Sequence, residues 1–190
     1  DDHKNTGGNK TYKINFTQFL GQLELGLTHS TGLKNASLYE FYGNGRVDQI
    51  KPEKSETNEL FGEYNFSENI KFSSTAYRTR MKDRIKLKSD WSGYENKEPD
   101  TTQEGLESNL TLSGNNQSVS LISHFAKSRT ATGGANARRP DLSYGVDYSK
   151  KLNLPEYGPF DLNLSHRYIG DHIDWTGSKN EFVKSVDLID

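Results

Sequence analysis

The sequence predicts an all-β, antiparallel fold, and three observations support that fold class. Apolar and polar residues alternate with a period of two along several segments, which is typical of strands with one apolar and one polar face. The chain carries 10 Tyr, 9 Phe and 2 Trp, more aromatic residues than a disordered segment contains. Turn residues separate the alternating segments. Since no segment shows a convincing helical period, we expect about nine strands and no helix.

The strands are predicted in chain order from these alternations. The first is defined by Tyr12, Ile14 and Phe16, and the second by Leu23, Leu25 and Leu27. Segments 58–67, 70–88 and 181–190 alternate less strictly but are rich in strand-forming residues. The remaining strands have apolar residues on one face, namely Leu106, Leu110 and Leu112; Val119, Leu121 and Phe125; Leu142, Tyr144, Val146 and Tyr148; and Phe160, Leu162, Leu164 and Tyr168.

The predicted connections are alternately short and long. Residues 20–22, 67–69 and 113–116 are tight joints, whereas 30–57, 89–103, 129–140 and 170–180 are long, with 152–159 intermediate. Short turns at one edge and long loops at the other are typical of outer-membrane barrels. Compact soluble domains instead favour connections of about 4–6 residues throughout. Strands of about 10 residues also suit a tilted membrane strand, so we expect a transmembrane β-barrel segment rather than a soluble sandwich.

Composition and motifs exclude several classes of function. With 24 basic and 26 acidic residues the net charge is −2, so we expect no nucleic-acid partner. The chain has no Cys, which excludes disulfides, thiolate metal sites and a Cys nucleophile. Its five His form no metal-binding pair, and no nucleotide-binding or hydrolase motif occurs. We therefore expect no enzyme, no cofactor and no metal site.

Basic residues recur at two places. Arg78, Arg80, Lys82, Arg84, Lys86 and Lys88 follow a period of two, as if they lined one face of a long strand. Because a cation facing lipid at the bilayer midplane costs about 2–4 kcal/mol, this row must point into the barrel lumen or extend beyond the membrane. Arg138 and Arg139 end the 129–140 loop, and Arg pairs suit phosphate or carboxylate ligands. These two are candidate ligand-binding residues; charges that only keep the loop solvated are the alternative.

Six short segments resemble motifs of TonB-dependent outer-membrane receptors, in the same order and at similar spacing. They are Gly32–Gly43 (GLKNASLYEFYG), Ile50–Ser55 (IKPEKS), Ala76–Ile85 (AYRTRMKDRI), Gly105–Glu107 (GLE), Arg138–Pro140 (RRP) and Tyr168–Gly170 (YIG). The resemblance covers essentially the whole chain and is nearest to the vitamin B12 (BtuB-type) branch.

The resemblance implies an energised uptake receptor in the Gram-negative outer membrane, a barrel of roughly 22 strands with a plugged lumen. Its partners would be cobalamin or an iron–siderophore, outer-membrane lipid, and TonB acting through a plug domain. Arg138 matches an Arg that reaches the ligand from an extracellular loop. Residues 1–190 would be a partial barrel domain without the plug and the TonB box, and we expect an open, curved sheet with two unpaired edges. The alternative is a non-transport binding or adhesion module that uses the long loops, which predicts a closed sheet.

Overall fold

The structure is a computed structural model that describes residues 10–42, 50–88, 90–97, 100–130, 139–175 and 180–190. Its main feature is a nine-stranded antiparallel sheet that follows the chain as a meander. The sheet is open, with strand Lys13–Leu20 at one edge and strand Val186–Ile189 at the other. The expected all-β fold class and the open sheet of about nine strands are confirmed.

The elements are numbered in chain order. They are β1 (Lys13–Leu20), β2 (Leu23–Lys34), α1 (Leu38–Tyr42), β3 (Glu53–Ser67), β4 (Ile70–Lys82), β5 (Arg84–Leu87), β6 (Tyr94–Lys97), β7 (Thr101–Ser113), β8 (Gln117–Thr130), β9 (Leu142–Leu154), β10 (Gly158–Ile169), β11 (His172–Trp175), β12 (Asn180–Val183) and β13 (Val186–Ile189). The large sheet has the order β1-β2-β3-β4-β7-β8-β9-β10-β13, and two small hairpins, β5–β6 and β11–β12, extend from it.

The register sorts the side chains onto an apolar face and a polar face, because directly paired residues share a face. One row of the apolar face crosses seven strands, and all its members are exposed: Phe16, Leu27, Leu60, Ala76, Leu106, Phe125 and Leu142. The neighbouring positions on the opposite face carry mainly Ser, Thr, Asn and charged residues. An uncovered apolar row of this kind is typical of strands that face lipid.

The connections fall into two classes at opposite ends of the sheet. Tight turns join β1 to β2, β3 to β4, β7 to β8 and β9 to β10, the first at Gly21 with φ of 62° and the last at Gly158 with φ of 80°. The other end, here called the long-loop end, carries α1, the hairpin β5–β6, the connection from β8 to β9 and the hairpin β11–β12. The predicted alternation of short and long connections is confirmed, and 152–159 is one of the tight turns.

Two expectations about the elements are wrong. The longer strands β3, β4, β7, β8 and β9 have 13–15 residues instead of about 10, and all of these except β4 extend into segments predicted as loops. Beyond the apolar row the strands continue although the alternation ends, because pairing between strands uses backbone groups and requires no apolar side chains. The second error is the helix α1, a five-residue element where no helix is expected. No helix among the described residues has the length and apolar character to cross a membrane.

Candidate ligand-binding site at the long-loop end

The two candidate ligand-binding residues differ in what the structure describes. Arg138 lies outside the described residues. Arg139 is exposed, precedes β9 closely, and donates from Nη1 to Oε1 of Gln103 at 3.3 Å. Gln103 is a residue of β7, so this hydrogen bond connects the loop before β9 with the polar face of the sheet.

A chain of hydrogen bonds continues from Gln103 along the polar face. Nε2 of Gln103 donates to the Tyr77 hydroxyl at 3.3 Å, and that hydroxyl lies 2.9 Å from Nε2 of His124. Nε2 of His124 is also 3.5 Å from Oε1 of Glu107. Arg139, Gln103, Tyr77, His124 and Glu107 therefore form one group from three neighbouring strands and a loop, called the Tyr77 cluster below.

Gly105 makes the Tyr77 cluster possible. It pairs with Tyr77 across β4 and β7, and a Cβ atom at Gly105 would lie 2.5 Å from Cζ and Oη of the tyrosine. Without that atom the ring lies across β7 and reaches β8, where it stacks on His124 with ring centroids 6.3 Å apart. The strand-start segment Gly105–Glu107 thus supplies the space for the ring and the carboxylate beside the imidazole.

The same construction recurs further along the sheet. Gly145 of β9 pairs with Arg167 of β10, and a Cβ atom at Gly145 would lie 2.6 Å from Nη1 of that arginine. Arg167 lies over the glycine and donates from Nη2 to Asp147 at 2.8 Å. A glycine in one strand that accommodates a long side chain from the next therefore occurs twice on the polar face.

The composition of the Tyr77 cluster suits binding. Arg139 offers a planar set of donors that matches carboxylate or phosphate oxygens. Tyr77 and His124 can each donate or accept, depending on the protonation of the imidazole. In the described part of the chain, no Ser or Thr hydroxyl is hydrogen-bonded to His124, so the arrangement needed for covalent catalysis is missing there.

Helix α1 at the long-loop end begins with a capping box. The hydroxyl of Ser37 accepts from the backbone N–H of Glu40 at 3.2 Å, and the Glu40 carboxylate accepts from the N–H of Ser37 at 2.6 Å. Lys34 Nζ lies 3.4 Å from Glu40 and 3.7 Å from Glu53. Partial burial raises the pKa of Glu40, but the hydrogen bonds from Ser37 and the charge of Lys34 outweigh it and hold that pKa below its usual value.

Asn96 fastens the hairpin β5–β6 to the chain around it. Its Oδ1 accepts from the N–H of Lys51 at 2.7 Å, and its Nδ2 donates to the carbonyls of Lys51 at 2.8 Å and Asp83 at 2.6 Å. The rings of Tyr39 and Tyr94 meet edge to face at 6.0 Å, which joins α1 to the same hairpin. The helix, the hairpin and the start of β3 thus form one connected unit.

The row of basic residues predicted from Arg78 onward is interrupted. Lys82 ends β4, Asp83 has a φ of 53°, and Arg84 begins a separate strand. Arg78, Arg80 and Lys82 share the apolar face with Ala76 and follow it towards the long-loop end, so they do not lie on the polar face. Glu104 is 3.1 Å from Arg78, and Asp100 is 2.7 Å from Arg80.

The described residues include no group of three or more His, Asp or Glu side chains that could hold a metal ion. Charge compensation on the polar face instead comes from ion pairs such as Lys71 with Glu63 at 2.8 Å.

Comparison with known proteins identifies the family. A family model described as TonB dependent receptor-like, β-barrel matches residues 1–189. The chain belongs to this family. No curated protein sequence matches the chain.

Several solved structures have a fold similar to that of this TonB-dependent receptor-like barrel. The structure resembles the siderophore receptor PirA from Acinetobacter baumannii, with a TM-score of 0.79, 16% identity, and coverage of 98% of this chain and 34% of that one. It resembles the ferric yersiniabactin uptake receptor FyuA from Yersinia pestis, with a TM-score of 0.74, 14% identity, and coverage of 95% and 28%. It also resembles the FrpB iron transporter from Neisseria meningitidis, with a TM-score of 0.73, 13% identity, and coverage of 95% of this chain and 31% of that one.

These identities show a shared fold, and the chain spans roughly a third of the length of each of these structures. The family and the solved structures are receptors and transporters rather than enzymes, which agrees with the expectation from the motifs. Arg139 was a candidate from the sequence, whereas Tyr77, Gln103, Glu107 and His124, with which the structure groups it, were missed. The available signal was their shared polar face in adjacent predicted strands, with a glycine at the centre.

Proposed function

We propose that this chain is part of the barrel of a TonB-dependent receptor in the Gram-negative outer membrane, which imports a large chelate such as a ferric siderophore or cobalamin. The family match over residues 1–189 carries the proposal. TonB would act through a plug domain, and residues 1–190 would contribute a barrel wall of about nine strands out of roughly 22.

The two faces of the sheet fit this role. The exposed apolar rows would contact outer-membrane lipid, and the polar face would line the lumen. Longer loops of such barrels are extracellular, so an incoming ligand would meet the long-loop end and Arg139 first. The other members of the Tyr77 cluster would lie deeper, near the level of Ala76 and Leu106 of the apolar row. The open edges at β1 and β13 support a barrel segment, whereas the alternative of a binding or adhesion module predicted a closed sheet.

Two observations favour an iron chelate over cobalamin. Three similar structures bear names that refer to iron, siderophore or ferric yersiniabactin transport. The donors of Arg139, Tyr77 and His124 also match the oxygen-rich surface of a ferric chelate. Arg138, on the residue-by-residue resemblance, would add a second guanidinium next to Arg139.

The test uses the full-length receptor with cyanocobalamin, a ferric catecholate and a ferric hydroxamate as probes. Quenching of tryptophan fluorescence measures binding, and accumulation in cells with and without a proton motive force measures energised uptake. We expect one of the ferric probes to bind and to enter only energised cells. The variant R139Q should bind that probe about 10–100-fold more weakly, because a hydrogen bond to a charged group contributes about 1.5–3 kcal/mol.

K151Q is the matched control, since Lys151 is an exposed cation near the tight turn between β9 and β10. It should bind the probe as the wild type does. Binding of cyanocobalamin alone would shift the assignment to the vitamin B12 branch. Binding without energised entry would contradict the uptake function and support the non-transport alternative.

A further inference from the structure

We propose that a cleft on the apolar face, at the long-loop end, binds the phosphate of an anionic lipid headgroup. The cleft has a volume of about 300 Å³, and its polar lining includes Lys10, Thr31, Lys54, Glu56, Arg80 and Lys82. It is called the cationic cleft below. The proposal goes beyond ligand uptake and rests on the proposed function only in placing the sheet in an outer membrane.

The register places the cationic cleft on the lipid side of the sheet. Arg80 pairs with Glu56, which pairs with Thr31, and Lys82 pairs with Lys54. These residues alternate in phase with Leu60 and Ala76 of the apolar row. From Ala76 to Arg80 the strand advances about 13 Å towards the long-loop end. When the apolar rows lie in hydrocarbon, the cleft therefore lies at the depth of the headgroups.

A belt of polar aromatic contacts lies at the edge of the cationic cleft on the side of the apolar row, and Tyr12 itself lines the cleft. The Tyr12 hydroxyl lies 3.2 Å from Nε2 of His29, and Nδ1 of His29 lies 2.8 Å from Oδ1 of Asn58. The rings of Tyr12 and His29 are 5.6 Å apart. Tyrosine is enriched where hydrocarbon gives way to headgroups, so this belt marks that boundary on the sheet.

The charges of the cleft are unbalanced in favour of cations. Lys10, Lys54, Arg80 and Lys82 face a single carboxylate in the lining, Glu56. Of these cations, only Arg80 has an ion pair with a described residue, Asp100 at 2.7 Å. Three lysines around one cleft, together with the Thr31 hydroxyl, are a suitable donor set for a phosphate.

The position of the cleft also decides between two sources of phosphate. The cationic cleft opens on the face opposite to the Tyr77 cluster, so a chelate that enters the lumen does not reach it. Basic clusters beside a hydrocarbon surface attract anionic lipids, with a contribution of about 1 kcal/mol per Lys or Arg. A lipid headgroup, which is held next to the cleft by its acyl chains, is therefore the better occupant than a free anion.

The experiment titrates the full-length receptor in neutral detergent with phosphatidic acid and, separately, with phosphatidylcholine of the same acyl chains. Native mass spectrometry counts the bound lipid. We expect selective retention of phosphatidic acid, and K54Q/K82Q should bind it about 30-fold more weakly. K13Q/K151Q removes the same charge from exposed lysines of the polar face and should match the wild type. Equimolar inorganic phosphate should displace none of the phosphatidic acid.

Three results would overturn the proposal: equal binding of the two lipids, equal losses in the two double variants, or displacement by inorganic phosphate, which would assign the cleft to a free anion. Uptake of the ferric probe is measured in parallel and should be unchanged in K54Q/K82Q. A receptor that retains phosphatidic acid selectively but imports no probe would contradict the proposed function and leave the lipid site intact.

Discussion

Replacing Gly105 by alanine tests whether the glycine holds the Tyr77 cluster together. The new Cβ would lie 2.5 Å from Cζ and Oη of Tyr77 and 2.6 Å from Cε1. That is about 1 Å inside normal carbon contact at 3.5–4.0 Å, so the ring has to move off β7. The movement breaks the hydrogen bonds of Tyr77 with Gln103 and His124. Each contributes about 0.5–1.5 kcal/mol, so we expect G105A to lower the free energy of unfolding by about 1–3 kcal/mol.

The assay is denaturant unfolding of the full-length protein in detergent micelles, together with probe binding. G26A is the matched control, because Gly26 lies on the same polar face and the nearest atoms to its Cβ position are 3.6 Å away. G26A should be neutral or slightly stabilising, since alanine loses less backbone entropy than glycine on folding. In a Y77A background G105A should cost nothing. Equal effects of G105A and G26A, or the same cost for G105A with and without Tyr77, would refute the reasoning.

Three further predictions concern the long-loop end. E40Q should lower the protection factors of the amides in α1, which compare the measured exchange rate with that of an unfolded chain at the same pH. Lowering the pH should also lower them in the wild type, because the pKa of Glu40 is lowered on folding: its contribution is complete above about pH 4.5 and is lost as the pH falls through the folded pKa. N96A should speed exchange across β5–β6 by removing three hydrogen bonds, with N109A, which removes one, as the control. D83A should lower the free energy of unfolding by about 1 kcal/mol, because Asp83 has a φ of 53°, a conformation that alanine adopts at a cost. D83G should not lower it, since glycine adopts this φ freely. Unchanged exchange in E40Q or N96A, or equal effects of D83A and D83G, would contradict these three predictions.

The apolar face could be predicted from the sequence because a strand with one apolar face follows a simple rule. Residues such as Phe16, Leu27 and Leu106 recur at every second position, and the structure places them in the exposed apolar row. The rule stops beyond the apolar row, where the strands continue because hydrogen bonding between strands requires no apolar side chains. For that reason the predicted loop 30–57 includes residues that form the end of β2 and the start of β3 in the structure.

The candidate site was predictable only in part, for a different reason. Arg139 is recognisable from its residue type and its place in a resembling motif. His124 and Tyr77 are 47 residues apart, and their contact depends on the register of β4, β7 and β8. The sequence contains no pattern that specifies this register before the strands are paired. Helix α1 did have a local signal, the capping-box spacing of Ser37 and Glu40, which the strand-rich context obscured.

The joint at Asp83 has a consequence for how such a barrel can change over time. Met81 pairs with Thr101, whereas Arg84 pairs with Lys97. The chain therefore advances by three residues from β4 to β5 and by four residues from β6 to β7, a difference of one residue. A shift of one residue in the register exchanges the two faces of a strand, so its polar side chains would move to the apolar face. Here the extra residue lies at the long-loop end, and the pairing of β4 with β7 is unaffected. The hairpin can therefore gain, lose or replace residues while the large sheet that carries it keeps its register.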